Sequence, residues 1–250
     1  MERELVSGRP CKGAVLVTGA AKRIGRAIAL ELANAGYAVA VHYYQSQDLA
    51  LELVASIRQL GVNACALQAN LEAEAETLEL VPRAVSALGP LGALINNASL
   101  FERDSALTAT REGWMRQLEV NLRAPFVLSQ AFARQLPDME SGCIVNMLDQ
   151  RVKHPTAHYT TYTLSKAGLW TLTQTLALAL APRIRVNALG PGRTLPNDSE
   201  MALRFEKHWQ TLPLKQGTTP GQIAQSVRFI LETPSLTGQM IALDGGEHLV

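Results

Sequence analysis

The sequence has few cysteines, few aromatic residues and little net charge, and each shortage excludes a class of protein. Cys11, Cys65 and Cys143 are far apart and form no C-x-x-C motif. This number and spacing argue against a disulfide framework and a zinc site, and are typical of a reducing compartment. Aromatic residues make up 5% of the chain, and the formal net charge is +1. Because there is no run of basic residues, nucleic acid is not expected as a partner.

Long apolar runs are also missing. No stretch approaches the length of a membrane span, so a membrane partner is not expected. The first residues lack the apolar core of a signal peptide, and we therefore expect a cytoplasmic protein. The five histidines have no metal-ligand spacing with carboxylates or cysteines, so no metal site is predicted.

Short apolar runs alternate with stretches of helical spacing along all 250 residues. The apolar runs predict strands at residues 14–17, 37–44, 64–68, 91–96, 143–147, 184–187 and 239–243. The helical stretches are longest at residues 111–136 and 162–181. Pro82 is expected to kink or interrupt the helix at residues 72–88, and Pro125 to lie near a bend of the helix at 111–136. This alternation predicts one α/β domain over residues 1–250. Its core is a Rossmann-like, doubly wound parallel sheet of about seven strands with helices on both faces.

The first predicted strand leads into Thr18-Gly19-Ala20-Ala21-Lys22-Arg23-Ile24-Gly25. A glycine after a strand permits a tight turn, and a glycine entering a helix lets a phosphate approach the helix N-terminus. Arg23 stands where the usual motif has its central glycine. The position of Gly19 and Gly25 after the first strand favours a dinucleotide site over an ordinary strand-to-helix turn.

The end of the second predicted strand indicates which dinucleotide binds. NAD sites usually carry an acidic residue there to hold the ribose hydroxyls. This strand ends in His42-Tyr43-Tyr44-Gln45-Ser46, with no carboxylate before Asp48. Lys22, Arg23 and Ser46 are suited to a 2′-phosphate, so NADP(H) is the predicted cofactor. The alternative is that both cations are simply solvated.

Tyr162 and Lys166 are four residues apart in a stretch of helical spacing. Such residues lie on one face of a helix. A free phenol has a pKa of about 10, and a nearby cation favours the phenolate. The pair would bring the tyrosine toward the pH range of an effective general acid or base. For so short a pattern, the alternative is a surface tyrosine beside a solvated lysine.

Six features in this order resemble the short-chain dehydrogenase/reductases over nearly the whole chain. They are Thr18-Gly19 with Gly25, Asn96-Asn97-Ala98, Asn121, Tyr162 with Lys166, Asn187 with Gly190-Pro191-Gly192, and Asp244-Gly245-Gly246. Within that family the chain is most similar to the pteridine reductases and to the dihydromonapterin reductases that also reduce dihydrofolate. The details that carry this are Arg23, His42-Tyr43, Ser99, Phe101 and Asp149, which lies thirteen residues before Tyr162 where most members have a serine.

The resemblance implies an enzyme that transfers a hydride from NADPH to a dihydropterin, dihydromonapterin or dihydrofolate. Asp149, Tyr162 and bound water would form the proton relay. Lys166 would hold the nicotinamide ribose and lower the pKa of Tyr162, and Asn121 would anchor a water chain behind Lys166. The implied cofactor-binding residues are Gly19, Lys22, Arg23, Ile24, Gly25, Tyr43, Tyr44, Ser46, Asn70, Leu71, Asn97, Ala98, Ser99, Met147, Tyr162, Lys166, Pro191, Gly192, Thr194 and Leu195. The implied substrate-binding residues are Arg23, Phe101, Asp149, Tyr162 and Trp209, with residues 196–213 as a lid.

Several alternatives remain open. Asn121 is alternatively a helix-bend amide, Phe101 a core residue, and Trp209 a residue that packs the lid helix onto the body. Gln45 stands where similar pteridine reductases often have arginine, so 2′-phosphate binding would depend on other residues. The alternative functions are a carbonyl reductase of the same family, acting on a sugar, steroid or acyl substrate, and a non-catalytic NADP-binding regulator. The resemblance also implies a homotetramer assembled through residues 111–136 and 162–181.

Overall fold

The computed structural model describes residues 13–196 and 202–250, with side chains from residue 205 onward in the second part. Seven strands form one sheet in these residues. They are β1 (Ala14–Val17), β2 (Val39–Tyr43), β3 (Ala64–Gln68), β4 (Leu91–Asn96), β5 (Gly142–Met147), β6 (Ile184–Pro191) and β7 (Met240–Leu243). Their order is β3-β2-β1-β4-β5-β6-β7, and all neighbouring pairs are parallel. The predicted doubly wound sheet is confirmed.

Helices cover both faces of this sheet. They are α1 (Arg23–Asn34), α2 (Gln47–Gln59), α3 (Glu74–Leu88), α4 (Arg111–Leu118), α5 (Ala124–Gln135), α6 (Thr160–Ala179), α7 (Ala202–Thr211) and α8 (Pro220–Glu232). One apolar core lies between the sheet and α1, α2 and α8, and a second lies between the sheet and α3, α5 and α6. Because apolar side chains cover both faces, β1 and β4 are buried at every position, as expected for central strands of a parallel sheet.

The strand order reverses between β1 and β4. In doubly wound sheets, the carboxyl ends of the strands at this point flank the crevice in which ligands bind. The loops after β1, β2, β4, β5 and β6 therefore meet at one edge of the sheet. These loops carry most of the residues singled out in the sequence.

The interruption expected at Pro82 is absent, because Pro82 lies inside α3. Because proline has no N–H, the Leu78 carbonyl one turn earlier lacks its helical hydrogen-bond donor. Both residues are exposed, so water is able to donate to that carbonyl instead. The predicted helix at residues 111–136 is divided by a π-helical turn at Glu119–Arg123, and Pro125 falls at the beginning of α5.

Part of the predicted lid, residues 197–201, lies outside the described residues. The lid sequence also predicts a short helix near residues 201–209, and α7 is observed there. In the described part of the chain, no helix combines the length and apolarity that a membrane span requires. Those same residues contain no group of three or more His, Cys, Asp or Glu side chains arranged to hold a metal ion.

Candidate active site

A cleft of about 400 Å³ lies at the carboxyl ends of β1, β2, β3 and β4. Its lining includes these predicted cofactor residues: Gly19, Lys22, Arg23, Ile24, Gly25, Tyr43, Tyr44, Ser46, Asn70, Leu71, Asn97, Ala98 and Ser99. The other predicted cofactor residues lie beyond β4, on β5, β6, α6 and the loop after β6: Met147, Tyr162, Lys166, Pro191, Gly192, Thr194 and Leu195. The cleft and the Tyr162 region therefore share one edge of the sheet.

The loop after β1 is held tightly against the loop after β4. Asn97 donates from Nδ2 to the carbonyl oxygens of Thr18 and Gly19, at 2.8 and 3.2 Å. Gly19 has a φ of 61°. A Cβ on Gly25 would lie 2.2 Å from the Gly19 carbonyl oxygen, so only glycine fits there. This packing leaves the backbone at the start of α1 open to a phosphate group.

Arg23 occupies a backbone position that usually favours glycine. Its φ is 55°, in the left-handed region, which costs a non-glycine residue about 1–2 kcal/mol. Its guanidinium donates to the carbonyl oxygens of Pro196, at 3.2 Å, and Leu195, at 3.5 Å. The side chain thus connects the loop after β1 with the loop after β6.

His42 connects the phosphate loop to the end of β3, a role that the sequence analysis missed. The Gly19 N–H donates to His42 Nδ1 at 3.0 Å. Since Nδ1 accepts, the neutral ring carries its proton on Nε2, which lies 3.1 Å from the Ala69 carbonyl oxygen. Burial lowers the pKa of His42 from 6.5 to about 4. The ring is therefore a neutral brace at neutral pH.

Tyr162 and Asp149 meet beyond the end of β5. The Tyr162 hydroxyl donates to Asp149 Oδ2 at 3.0 Å. Tyr162 lies in the first turn of α6, and Asp149 directly precedes a short 3-10 helix, Gln150–Val152. The Tyr162 side chain is buried and the Asp149 side chain nearly so. The predicted meeting of a phenol and a carboxyl is present, although their catalytic roles stay a prediction.

Lys166 lies one helical turn after Tyr162 and is also buried. Its ammonium donates to the Met147 carbonyl oxygen at 2.8 Å and lies 5.7 Å from the centroid of the Tyr162 ring. Burial lowers the pKa of Lys166 from 10.5 to about 8, and the charge of Asp149 opposes this change. The side chain thus has no carboxylate partner among the hydrogen bonds of the described residues.

The prediction that Lys166 lowers the pKa of Tyr162 is wrong for this structure. Burial raises the pKa of Tyr162 well above 10, and the charge and hydrogen bond of Asp149 raise it further. Arg151 acts in the opposite direction, with a smaller effect. Tyr162 is therefore held as a neutral phenol that donates a hydrogen bond to Asp149, because a phenolate would be desolvated beside a carboxylate.

Asn121 lies in the π-helical turn and is fully buried. Its Oδ1 accepts from the Leu100 N–H at 2.8 Å and from Ser99 Oγ at 3.2 Å. Its Nδ2 lies within 3.0 Å of the Leu100 carbonyl, Gln117 Oε1 and Ser165 Oγ. Asn121 thus joins the loop after β4 to α6, which supports the structural alternative. Its predicted role as a water anchor stays a prediction.

Phe101 is not a core residue. It is 38% exposed, and its ring stacks on Tyr159 with centroids 4.4 Å apart and planes 7° apart. It also contacts the edge of Tyr162, with centroids 4.7 Å apart. Arg151, which the sequence analysis did not single out, lies within 5.5 Å of the centroids of Phe101 and Tyr159. An aromatic surface formed by Phe101 and Tyr159 therefore adjoins the Tyr162 ring.

Trp209 packs α7 onto the body of the protein. Its Nε1 donates to the Arg193 carbonyl at 3.0 Å, and its ring lies against Phe205 and against Gly217. A Cβ on Gly217 would lie only 2.0 Å from Trp209 Nε1, so glycine is required there. This supports the packing alternative, and a substrate contact by Trp209 stays a prediction.

The family model described as short chain dehydrogenase matches residues 13–207. The chain therefore belongs to the short-chain dehydrogenase family, and the protein is an oxidoreductase. The FolM alternative dihydrofolate reductase 1 of Brucella canis, solved in complex with NADP, is 42% identical with a TM-score of 0.94. That similarity covers 98% of this chain and 97% of the Brucella chain.

Two further relatives have different names. The 3-oxoacyl-(acyl-carrier-protein) reductase FabG of Staphylococcus epidermidis is 35% identical, over 94% of this chain and 98% of its own length. Pteridine reductase 1 of Leishmania tarentolae is 34% identical, over 96% of this chain and 98% of its own length. The relatives of this chain within the family are thus named for different substrates.

Proposed function

We propose that this protein is an NADPH-dependent reductase of a pterin ring, acting on a dihydropterin, dihydromonapterin or dihydrofolate. The observation that carries the proposal is the hydrogen bond from Tyr162 to Asp149 beside the exposed ring of Phe101. Binding and protonating a pterin ring requires a proton donor, an acceptor for ring N–H groups, and an apolar face for the ring. Tyr162, Asp149 and Phe101 supply these in that order. The names of the Brucella and Leishmania relatives support this choice of substrate.

The cleft beside β1 fits NADP(H). The close packing of Gly25 against Gly19 exposes the backbone at the start of α1 to a diphosphate. Lys22, Arg23 and Ser46 line the cleft where a 2′-phosphate would lie, and residues 42–46 include no acidic side chain. The Brucella relative was solved with NADP. When bound, the reduced nicotinamide would supply the hydride.

The protein's own residues handle the proton. Tyr162 is protonated at neutral pH and transfers its Oη proton to the substrate nitrogen. Asp149 orients that hydroxyl and accepts hydrogen bonds from ring N–H groups. Because the pKa of Tyr162 is raised, a phenolate is unfavourable beside Asp149, so bound water supplies the replacement proton, passed to Tyr162 through Asp149. Lys166 holds the ribose, and Asn121 positions the loop that carries Phe101 relative to α6.

Replacing Tyr162 with phenylalanine tests this function. Wild-type protein is expected to oxidise NADPH faster with 7,8-dihydrobiopterin or dihydrofolate than with any ketone of a panel. Tyr162→Phe keeps the ring but removes the donor, so kcat should fall by about 100-fold or more, the size typical of a lost general acid. Tyr37→Phe is the control. Tyr37 lies before the amino end of β2, at the sheet edge opposite the site, so this change should leave kcat unchanged.

A carbonyl reductase is the second candidate. The FabG relative supports it, and so does Arg151, which pairs with Asp149 and offsets a charge that would otherwise repel a developing oxyanion. Faster turnover of ketones or 3-oxoacyl thioesters than of pterins would establish it in place of the first. Unchanged biological function in the Tyr162→Phe variant would instead favour a non-catalytic NADP-binding regulator.

We propose in addition that residues 1–250 form one domain, and that the protein is a cytoplasmic homotetramer. The proposed subunit contacts involve α4, α5 and α6. Apolar side chains exposed on two of these helices, Trp114, Met115, Leu164 and Leu178, support such contacts.

A further inference from the structure

Arg151 fills the hydrogen-bonding capacity of Asp149. Asp149 Oδ1 accepts from the Arg151 backbone N–H at 2.8 Å and from Arg151 Nη1 at 3.3 Å. Oδ2 accepts from Arg151 Nη1 at 3.1 Å and from the Tyr162 hydroxyl at 3.0 Å. A carboxylate offers about four lone-pair positions. All are occupied by the protein itself, so a substrate N–H needs one of these donors to leave.

The guanidinium of Arg151 is the donor best placed to leave. The backbone N–H of Arg151 is fixed by the 3-10 helix, and Tyr162 is fixed by α6. The Arg151 side chain is only 11% exposed, yet its Nε has no hydrogen-bond partner among the described residues. The guanidinium also lies beside the rings of Phe101 and Tyr159. The guanidinium thus makes the contacts that a flat ligand would make, because it donates hydrogen bonds to a carboxylate and lies next to an aromatic surface.

We propose that Arg151 is a specificity-determining residue that occupies Asp149 until a substrate with N–H donors displaces it. This inference rests on the proposed reduction of a pterin ring. The aminopyrimidine edge of a pterin is flat and carries neighbouring N–H groups, so it replaces the contacts that the guanidinium gives up. A flat ring without N–H donors leaves Arg151 on Asp149 and gains nothing from that carboxylate.

The test compares two ligands on three proteins. Pterin has N–H donors, whereas 1,3-dimethyllumazine is a flat bicyclic ring of similar size without them. Kd is measured for each by ligand fluorescence in the presence of NADP⁺, using wild type, Arg151→Met and Lys153→Met. Lys153 is an exposed cation on the same loop and serves as the matched control. Thermal unfolding and NADP⁺ affinity establish that each variant is folded.

Arg151→Met is expected to lower the Kd of pterin by about tenfold, because the ligand no longer competes with a charge-assisted hydrogen bond. The Kd of 1,3-dimethyllumazine and both values for Lys153→Met should stay unchanged. An unchanged or higher Kd for pterin would refute the inference, and so would equal tightening of both ligands, which indicates only added space. If Arg151→Met does not fold, Arg151→Lys, which keeps the charge but loses the fork, should tighten pterin binding by a smaller factor.

The same measurements separate the two proposals. If wild-type protein binds and reduces pterins but Arg151→Met changes neither Kd, only the role of Arg151 is refuted. If wild-type protein binds no pterin and reduces ketones instead, the proposed function fails, and the displacement of Arg151 fails with it.

Discussion

Buried ionisable side chains define the chemistry at the scale of the residue. Tyr162, Lys166 and His42 each lose the solvation of their charged form; Tyr162 and His42 are neutral at pH 7, whereas Lys166 stays charged below pH 8. Tyr162 thereby donates a hydrogen bond to Asp149, and His42 is a rigid acceptor for the Gly19 N–H. Burial of Lys166 costs folding free energy, which a functional site commonly tolerates.

Lys166→Met is expected to inactivate the enzyme and stabilise the fold. The pKa of Lys166 is 10.5 in the unfolded chain and about 8 in the folded protein, so burying its charge lowers the unfolding free energy by about 3 kcal/mol. This cost is fully present below pH 8 and disappears as the pH rises to 10.5. Loss of the bond to the Met147 carbonyl offsets part of this, so we expect a net gain of about 1–2 kcal/mol at pH 7. Urea unfolding at pH 7 and pH 10 should show the gain shrinking with pH. A gain that grew with pH would contradict the account.

His42→Gln is expected to make the unfolding free energy less sensitive to a fall in pH below 6.5. The unfolded histidine takes up a proton near pH 6.5, whereas the folded one does so only near pH 4. Between pH 6.5 and pH 4, the unfolding free energy of the wild-type protein should therefore fall by about 3 kcal/mol more than that of His42→Gln. His158→Gln, at an exposed position, should behave like wild type.

A second effect of His42→Gln appears at pH 7. Losing the brace on Gly19 is expected to weaken NADPH binding by about tenfold, the size of one lost hydrogen bond to a buried group. Equal NADPH affinity in titrations of both proteins would show that His42 does not position the phosphate loop.

At the scale of the element, the π-helical turn between α4 and α5 decides how the substrate side of the site is held. The turn directs Asn121 inward, where its amide contacts both the loop after β4 and Ser165 on α6. Pro125 provides no N–H to this turn, and the chain widens there. The loop that carries Phe101 is thereby joined to the helix that carries Tyr162.

Asn121→Ala leaves the Leu100 N–H and carbonyl and the Ser165 hydroxyl without this partner. We expect a loss of about 3 kcal/mol in unfolding free energy, since several buried polar groups become unsatisfied. The KM for the pterin should rise more than the KM for NADPH, because the loop carrying Phe101 loosens. Asn63→Ala, at an exposed position, is the control for both measurements. Equal changes in the two KM values would count against a role in positioning that loop.

At the scale of the whole molecule, the site is divided between the two halves of the sheet. The cleft proposed to bind NADP(H) belongs to the β1–β4 side, and the hydrogen-bonded Tyr162 and Asp149, proposed to handle the proton, follow β5. Arg23 joins the two sides through its bonds to the Leu195 and Pro196 carbonyls. Arg23 thus connects the residues after β6 with the cleft.

The proposed homotetramer is tested at this scale. Leu178 on α6 is 84% exposed, and a lysine there should disrupt a contact through that helix. Light scattering after gel filtration is expected to give a tetramer for wild type and a smaller species for Leu178→Lys, with circular dichroism unchanged. Leu49→Lys on α2 is the control and should remain tetrameric. A monomeric wild-type protein would refute the proposal.

The sequence by itself determined the sheet and the glycine-bounded turn after β1, because these follow from local patterns and spacing, whereas the pairing of Asp149 with Tyr162 was implied by the family resemblance. β1, β3 and β4 begin and end where the apolar runs predict. The contacts of Arg151, in the 3-10 helix after β5, and of His42, within β2, were not indicated by the sequence, because neither an arginine nor a histidine has a partner fixed by its position in the chain. Only the tertiary structure decided their contacts, the inward direction of Asn121, and the raised pKa of Tyr162. The physical reason is that desolvation and charge depend on distant residues brought within a few ångströms, and spacing along the chain does not encode that proximity.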